Sequence, residues 1–203
     1  MTTTLHPTSR AMLRTSLAAI ALACTGAWAQ TAALAPVAAR TDDRTIQQDH
    51  ATYERLQARI AALNAGGRRL GDYPLAKAQC WLDASFHEYT RNDRGPFPQA
   101  ALAESEKLIV AMEQKAQPIP AETARIADAA ELRPDLWQRT LALKGKPGFT
   151  CAAARTACAE VELVHAGNEI NQQQWRHARP YLQMAEDMIV DAEASAASCT
   201  AKP

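Results

Sequence analysis

The chain is expected to fold as an all-α protein, antiparallel helical hairpins in one small bundle, partly tetratricopeptide-like and linked by disulfides. Three observations carry this expectation. Only 5% of the 203 residues are aromatic and alanine is abundant, a composition that favours helix over strand. Apolar residues recur at helical steps of three, four and seven residues. The stretch from Thr150 to Cys199 reads as two helices folded back on each other with a cysteine near each open end.

Residues 1–29 have the form of an export signal. Arg10 and Arg14 flank a short apolar core from Leu17 to Ala23, and Ala27-Trp28-Ala29 supplies the small-x-small cleavage pattern. The apolar run is shorter than the roughly 20 residues needed to span a bilayer. A rival reading is lipidation at Cys24, although Ala21 stands where a lipobox prefers leucine. The signal carries two basic residues and no acid, so a formal charge of zero becomes about −2 after its removal. Such a balance argues against nucleic acid, which is bound by clustered lysine and arginine. No further run is long enough to cross a membrane. The periplasm is the expected location, with a lipid-anchored outer-membrane form as the lesser alternative.

Residues 30–40 (QTAALAPVAAR) lack a cap or a periodic face and are expected to be a flexible leader. The helical domain is expected over residues 41–199. Thr41 or Asp42 caps a first helix with a stripe of Ile46, Tyr53, Leu56, Ile60 and Leu63, ended by Gly66-Gly67. Pro74 suits the first turn of a second helix bearing Leu75, Ala78, Leu82, Phe86 and Tyr89 on one side. The turn-forming run from Asn92 to Pro98 leads to a third helix over about 99–115, burying Leu102, Leu108, Ile109 and Met112. These two helices make a hairpin over about 74–115. Beyond Pro118-Ile119-Pro120, short helical pieces are expected at 121–132 and 134–144. Thr150 is then the expected cap of the closing hairpin, 150–199, which turns at Asn171 to Gln174 and carries Pro180 early in its second helix.

Four cysteines follow the signal: Cys80, Cys151, Cys158 and Cys199. An even number in an exported chain implies disulfides, with three connectivities open. Cys151 and Cys158 lie two turns apart on one helix and cannot bond, since bridged Cα atoms are about 4.4–6.8 Å apart. In the closing hairpin residue i faces roughly 345 − i, which brings Cys151 near Ala194 and, through a frayed end, near Cys199. The expected pairs are therefore Cys151–Cys199 and Cys80–Cys158.

Cys80 and Cys158 are each followed seven residues later by a histidine, His87 and His165, on the same helical face. Two such faces offer Cys80, His87, Cys158 and His165 as an alternative metal-ligand set of the kind zinc accepts. The spacing spans about 10.5 Å of helix, which makes convergence on one ion difficult, so no metal or other cofactor is expected. The same pairs, with Phe97/Trp175 and Ala100/Ala178, suggest a duplication at an offset of 78 residues. Trp175, Ala178, Leu182 and Ala185 have the large–small spacing of a tetratricopeptide half-repeat, or simply mark a close helix approach. A polar set gathers near the hairpin turns: His87, Glu88, Arg91, Asn92, Asp93 and Arg94, then His165, Asn168, Glu169, Asn171 and His177. Carboxylates beside histidine can do acid–base work, but at helix ends they more simply serve as caps. No G-x-S-x-G, H-E-x-x-H, phosphate loop or dinucleotide fingerprint is present, and the chain is expected not to be an enzyme.

The stretches DYPLAKAQCWLDASFHEYTRNDRGPFPQAALAES and CAEVELVHAGNEINQQQWRHARPYLQMAED resemble the helical region ahead of the peptidoglycan-binding domain in some exported OmpA-like proteins of proteobacteria. The resemblance covers about residues 41–199. It implies an envelope protein with a helical interaction module. No stretch matches the peptidoglycan-contacting residues, so that activity carries over to no residue here. The expected role is a non-catalytic structural or interaction module that meets an envelope protein or peptide. Trp175, His177, Arg179, Tyr181, Arg91, Asn92, Asp93 and Arg94 are the candidate partner surface. A periplasmic metal- or small-ligand-binding role for the Cys/His faces is the alternative.

Overall fold

The computed structural model describes residues 1–2, 31–173 and 175–200, and among these helix start and stop chemistry sets six α-helices and one 3-10 turn. The expected export signal and Cys24 lie almost wholly outside the described residues. Asp42 accepts the Thr45 N–H at 3.0 Å and opens α1, Asp43–Ala65. Prolines in the first turn open α2, Tyr73–Thr90, α3, Phe97–Glu113, and α4, Pro134–Lys144. The long pair α5, Phe149–Asn171, and α6, Trp175–Thr200, closes the chain. No strand occurs among the described residues.

The helices form two three-helix halves, with α1 against the α2–α3 hairpin and α4 against the α5–α6 hairpin. The halves meet along α2 and α5. Trp81, Phe97, Leu102 and Ile109 fill the first core, while Leu136, Leu143, Leu163 and Ile189 fill the second, all essentially inaccessible to water. Alanines at 152, 159, 185, 192 and 196 let α5 and α6 approach closely. Two glycines allow further close approaches: a Cβ on Gly148 would strike the Ala196 backbone of α6, and one on Gly167 the Ala130 backbone of the segment between α3 and α4. Ala178 and Ala185 are buried in this way, whereas Trp175 is 55% exposed. The large–small pattern of α6 therefore marks close packing on its inner side.

Cys80 bonds Cys158 at a Cα–Cα distance of 5.4 Å, and Cys151 bonds Cys199 at 6.1 Å. Helix α6 continues through residue 199, so the second bond closes from helical backbone and needs no frayed end.

Several local expectations are corrected. The leader, expected to be flexible, is docked on the helices over its described part: Ala32, Leu34 and Ala35 donate their N–H groups to Glu106, Gln99 and Asp49, each at 2.7 Å. Ala32 and Leu34 are buried, and a 3-10 turn at Val37–Ala39 leads into α1. Side chains far along the chain supply what the leader lacks in local structure. Residues 121–132 are not helical: Ala127 and Asp128 take left-handed φ values of 53° and 54°. Thr150 lies inside α5, whose cap position is Gly148 without a side-chain bond. Phe86 is 39% exposed, and the anchor of α2 is instead Trp81.

Candidate functional site

Seven residues make two helical turns, so the cysteine and histidine of α2 share a face, as do those of α5. The helices pack with residue i of α2 opposite residue i + 78 of α5. Cys80 meets Cys158 in the disulfide, the His87 and His165 rings lie 5.5 Å apart, and Arg91 Nη1 reaches Glu169 Oε1 at 2.9 Å. One seam is thus covalent at one end, aromatic in the middle and ionic at the other. The offset suggested by the sequence is the packing register of the two helices, and α3 and α6 also begin 78 residues apart.

His165 sits at the centre, with a side chain only 2% exposed. Its Nε2 lies 2.9 Å from Glu88 Oε1 and its Nδ1 3.2 Å from Glu162 Oε2. The ring stacks between Tyr181, at 3.9 Å, and Phe97, at 5.5 Å. Burial works against a charge here, but Glu162 and Glu88 outweigh it and raise the pKa to about 9. Both ring nitrogens thus face carboxylates, which favours the charged form of the ring. His87 is driven the other way, below its ordinary value, by burial and by His165. Its Nε2 lies 2.8 Å from the Tyr181 hydroxyl, in a hydrogen bond, and 3.7 Å from Glu88 Oε1.

Arg91 closes the outer side of the group. Besides Glu169 it donates to Glu88 at 3.3 Å, to the Tyr181 hydroxyl at 3.3 Å and to His177 Nδ1 at 2.7 Å. Glu169 is fully buried, and burial followed by the neighbouring Glu88 pushes its carboxyl pKa up. Its Oε2 is 3.3 Å from His177 Nδ1, a charge-pair distance without hydrogen-bond alignment, and it has no hydrogen-bond partner among the described residues. Glu88 is held below the ordinary carboxylate range: burial opposes this, and His165, Arg91 and His87 prevail.

A second buried network ties α2 to α5 and to the irregular segment 116–133. Lys77 Nζ meets Glu160 Oε2 at 3.1 Å, the Tyr73 hydroxyl at 2.7 Å and the Ala121 carbonyl at 3.1 Å. Glu160 also accepts from Tyr73 at 2.5 Å and Thr123 at 2.6 Å, and pairs with Lys144 at 2.6 Å. Burial drives the Lys77 pKa down to about 8. Every charged group in this network is bonded to another part of the chain, which suits holding the fold rather than receiving a ligand.

These positions revise the expected sites. The Cys80/His87/Cys158/His165 ligand set does not form, because the two sulfurs bond each other; the two histidines instead meet Glu88. Within the expected partner surface, Arg91, His177 and Tyr181 are bonded into the buried group. Asn92 takes φ 65° at the end of α2, and Asp93 accepts the Gly95 N–H at 2.6 Å. Trp175, Arg179 and Arg94 remain exposed. The polar set read as helix-end caps is in part a buried network, since Glu88, His165, Asn168 and Glu169 are all below 5% exposed. Glu162, Lys77 and Glu160 were not singled out in the sequence. Glu162 is signalled by its three-residue spacing to His165, while nothing local distinguishes Lys77 or Glu160 from a solvated charge. Comparison of the chain with family models, with curated proteins and with solved structures finds no match.

Proposed function

We propose that the protein is an exported, non-catalytic helical module of the periplasm or cell envelope that contacts another protein or a peptide through the outer face of α6. The observation that carries this reading is the beginning of that helix. Trp175 is 55% exposed, the Arg176 guanidinium lies 5.2 Å over its ring, and Arg179, Pro180 and Gln183 continue a shallow groove. Among the described residues Arg176 and Arg179 are in no ion pair, as is true of Arg44, Arg55, Arg69 and Arg94, but these two adjoin the exposed tryptophan in one groove. Exposed tryptophan beside unpaired arginine is the residue chemistry that dominates binding energy at protein interfaces.

Two disulfides suit an oxidising environment outside the cytoplasm. No helix among the described residues is long and apolar enough to cross a membrane. The resemblance to the OmpA-associated helical region points to the same compartment. The reading is tested by crosslinking capture from envelope extracts with the wild type and with Trp175→Ala/Arg179→Glu, both shown to be folded by circular dichroism. A protein captured by the wild type and lost in the variant supports it. Equal capture by both, or capture by neither, overturns it.

A further inference from the structure

We infer that His87, Glu88 and His165 form a binding site for one divalent first-row transition-metal ion with the ligand preferences of zinc. One ligand atom from each residue lies within 4.8 Å of the other two. Glu88 Oε1 is 2.9 Å from His165 Nε2 and 3.7 Å from His87 Nε2. Bonds of about 2.0–2.2 Å at tetrahedral angles place ligands roughly 3.3–3.5 Å apart. The two separations from Glu88 straddle that spacing, and the third is no more than 4.8 Å.

The surroundings are those of a built site. Glu162 holds Nδ1 of His165 at 3.2 Å and so aims Nε2 inward, the outer-carboxylate arrangement that orients metal-binding histidine. Phe97 and Tyr181 fix the same ring from its two faces. The Cys80–Cys158 bond, two helical turns away, locks the register of α2 against α5, so the three ligands are brought together before any ion arrives. His87 is 47% exposed and opens a path to solvent, and the Tyr181 hydroxyl, 2.8 Å from its Nε2, turns aside when an ion takes that nitrogen. Three protein ligands with an open fourth position are what zinc takes where it also binds water or a small molecule. The set of two imidazoles and one carboxylate, with no thiolate, suits zinc, nickel, copper or iron over magnesium and calcium. Two features oppose the ion: Arg91, 3.3 Å from Glu88 Oε1, competes for that oxygen, and the proton that His165 Nε2 shares with Glu88 must leave before that nitrogen can bind.

The test is calorimetric titration of oxidised, chelator-stripped protein with Zn²⁺, together with the visible spectrum after Co²⁺ addition. Saturable 1:1 binding and the intense bands of four-coordinate Co²⁺ are expected. His87→Ala, a half-exposed position that leaves the core intact, and Glu162→Gln should weaken binding at least about tenfold. Arg91→Gln should tighten it several-fold, which a purely structural ion network does not predict. His50→Ala, which removes an unrelated histidine on α1, should change nothing. Absence of 1:1 binding overturns the site, as does binding unaffected by His87→Ala or abolished by His50→Ala. Should the variants fail to fold, the Co²⁺ spectrum of the wild type decides by itself. This inference is independent of the α6 surface.

Discussion

Lys77 lies 1% exposed against Glu160 and is the clearest case in which one residue sets a solution property. Burial depresses its pKa to about 8, below the ordinary 10.5 retained when the chain unfolds. Between those values the folded protein holds fewer protons than the unfolded chain, so stability should rise with pH. Urea unfolding at intervals from pH 8 to 10 should show that slope, and Lys77→Met should lose it. At neutral pH the same substitution should cost about 1–3 kcal/mol, because Lys144 keeps Glu160 paired; Glu160→Gln, which strands Lys77, should cost about 3–5 kcal/mol. His165 makes the opposite choice in the other network. It stays charged because two carboxylates face its two nitrogens, where Lys77 has one carboxylate and a second lysine beside it.

At the scale of elements, the leader is the segment whose order comes from others. Residues 32, 34 and 35 contribute N–H groups, and Glu106, Gln99 and Asp49 from α3 and α1 complete them. Deleting residues up to Pro36 should lower stability by about 2–4 kcal/mol through lost burial of Leu34 and lost charge-assisted bonds. Hydrogen exchange should find the amides of 32, 34 and 35 protected; rapid exchange there would refute the docked leader. The closing hairpin shows a related dependence at its open end. Cys151–Cys199 closes a loop of 48 residues, and replacing both cysteines by serine should cost about 4 kcal/mol in the chain-entropy treatment. A midpoint shift in urea measures it.

For the domain from residue 31 onward, the two three-helix halves are joined by one seam, and its ends differ in strength. Cys80–Cys158 spans 78 residues, worth about 4.5 kcal/mol as a loop constraint, while Arg91 and Glu169 hold the other end ionically. Calorimetry of the oxidised protein should therefore show a single transition, and Cys80→Ser/Cys158→Ser should lower its midpoint or split it in two. An unchanged midpoint would mean that α2–α5 packing alone holds the halves. The repeat at 78 residues was visible as four matched pairs; its meaning as a parallel register needed the helices side by side.

The helical class, the main hairpins and the cysteine pairing follow from local rules that act along the chain: three-and-four spacing of apolar residues, proline at helix starts, and the arithmetic of a hairpin turning near Gln172. Leu102, Leu108, Ile109 and Met112 are buried on α3 as that spacing requires. The leader, the irregular segment 116–133 and the histidine site are different in kind. A backbone N–H of Ala32 is satisfied by a side chain 74 residues away, and Glu88 meets His165 across 77. In sequence, Glu160 and Lys77 look like any solvated charge, and Glu88 like a helix-end one; only the approach of α5 to α2 removes their water and gives them partners. Periodicity sets which face of each helix is apolar, but the desolvation that turns a polar residue into a buried ion depends on which helix covers it, and tertiary packing alone decides that.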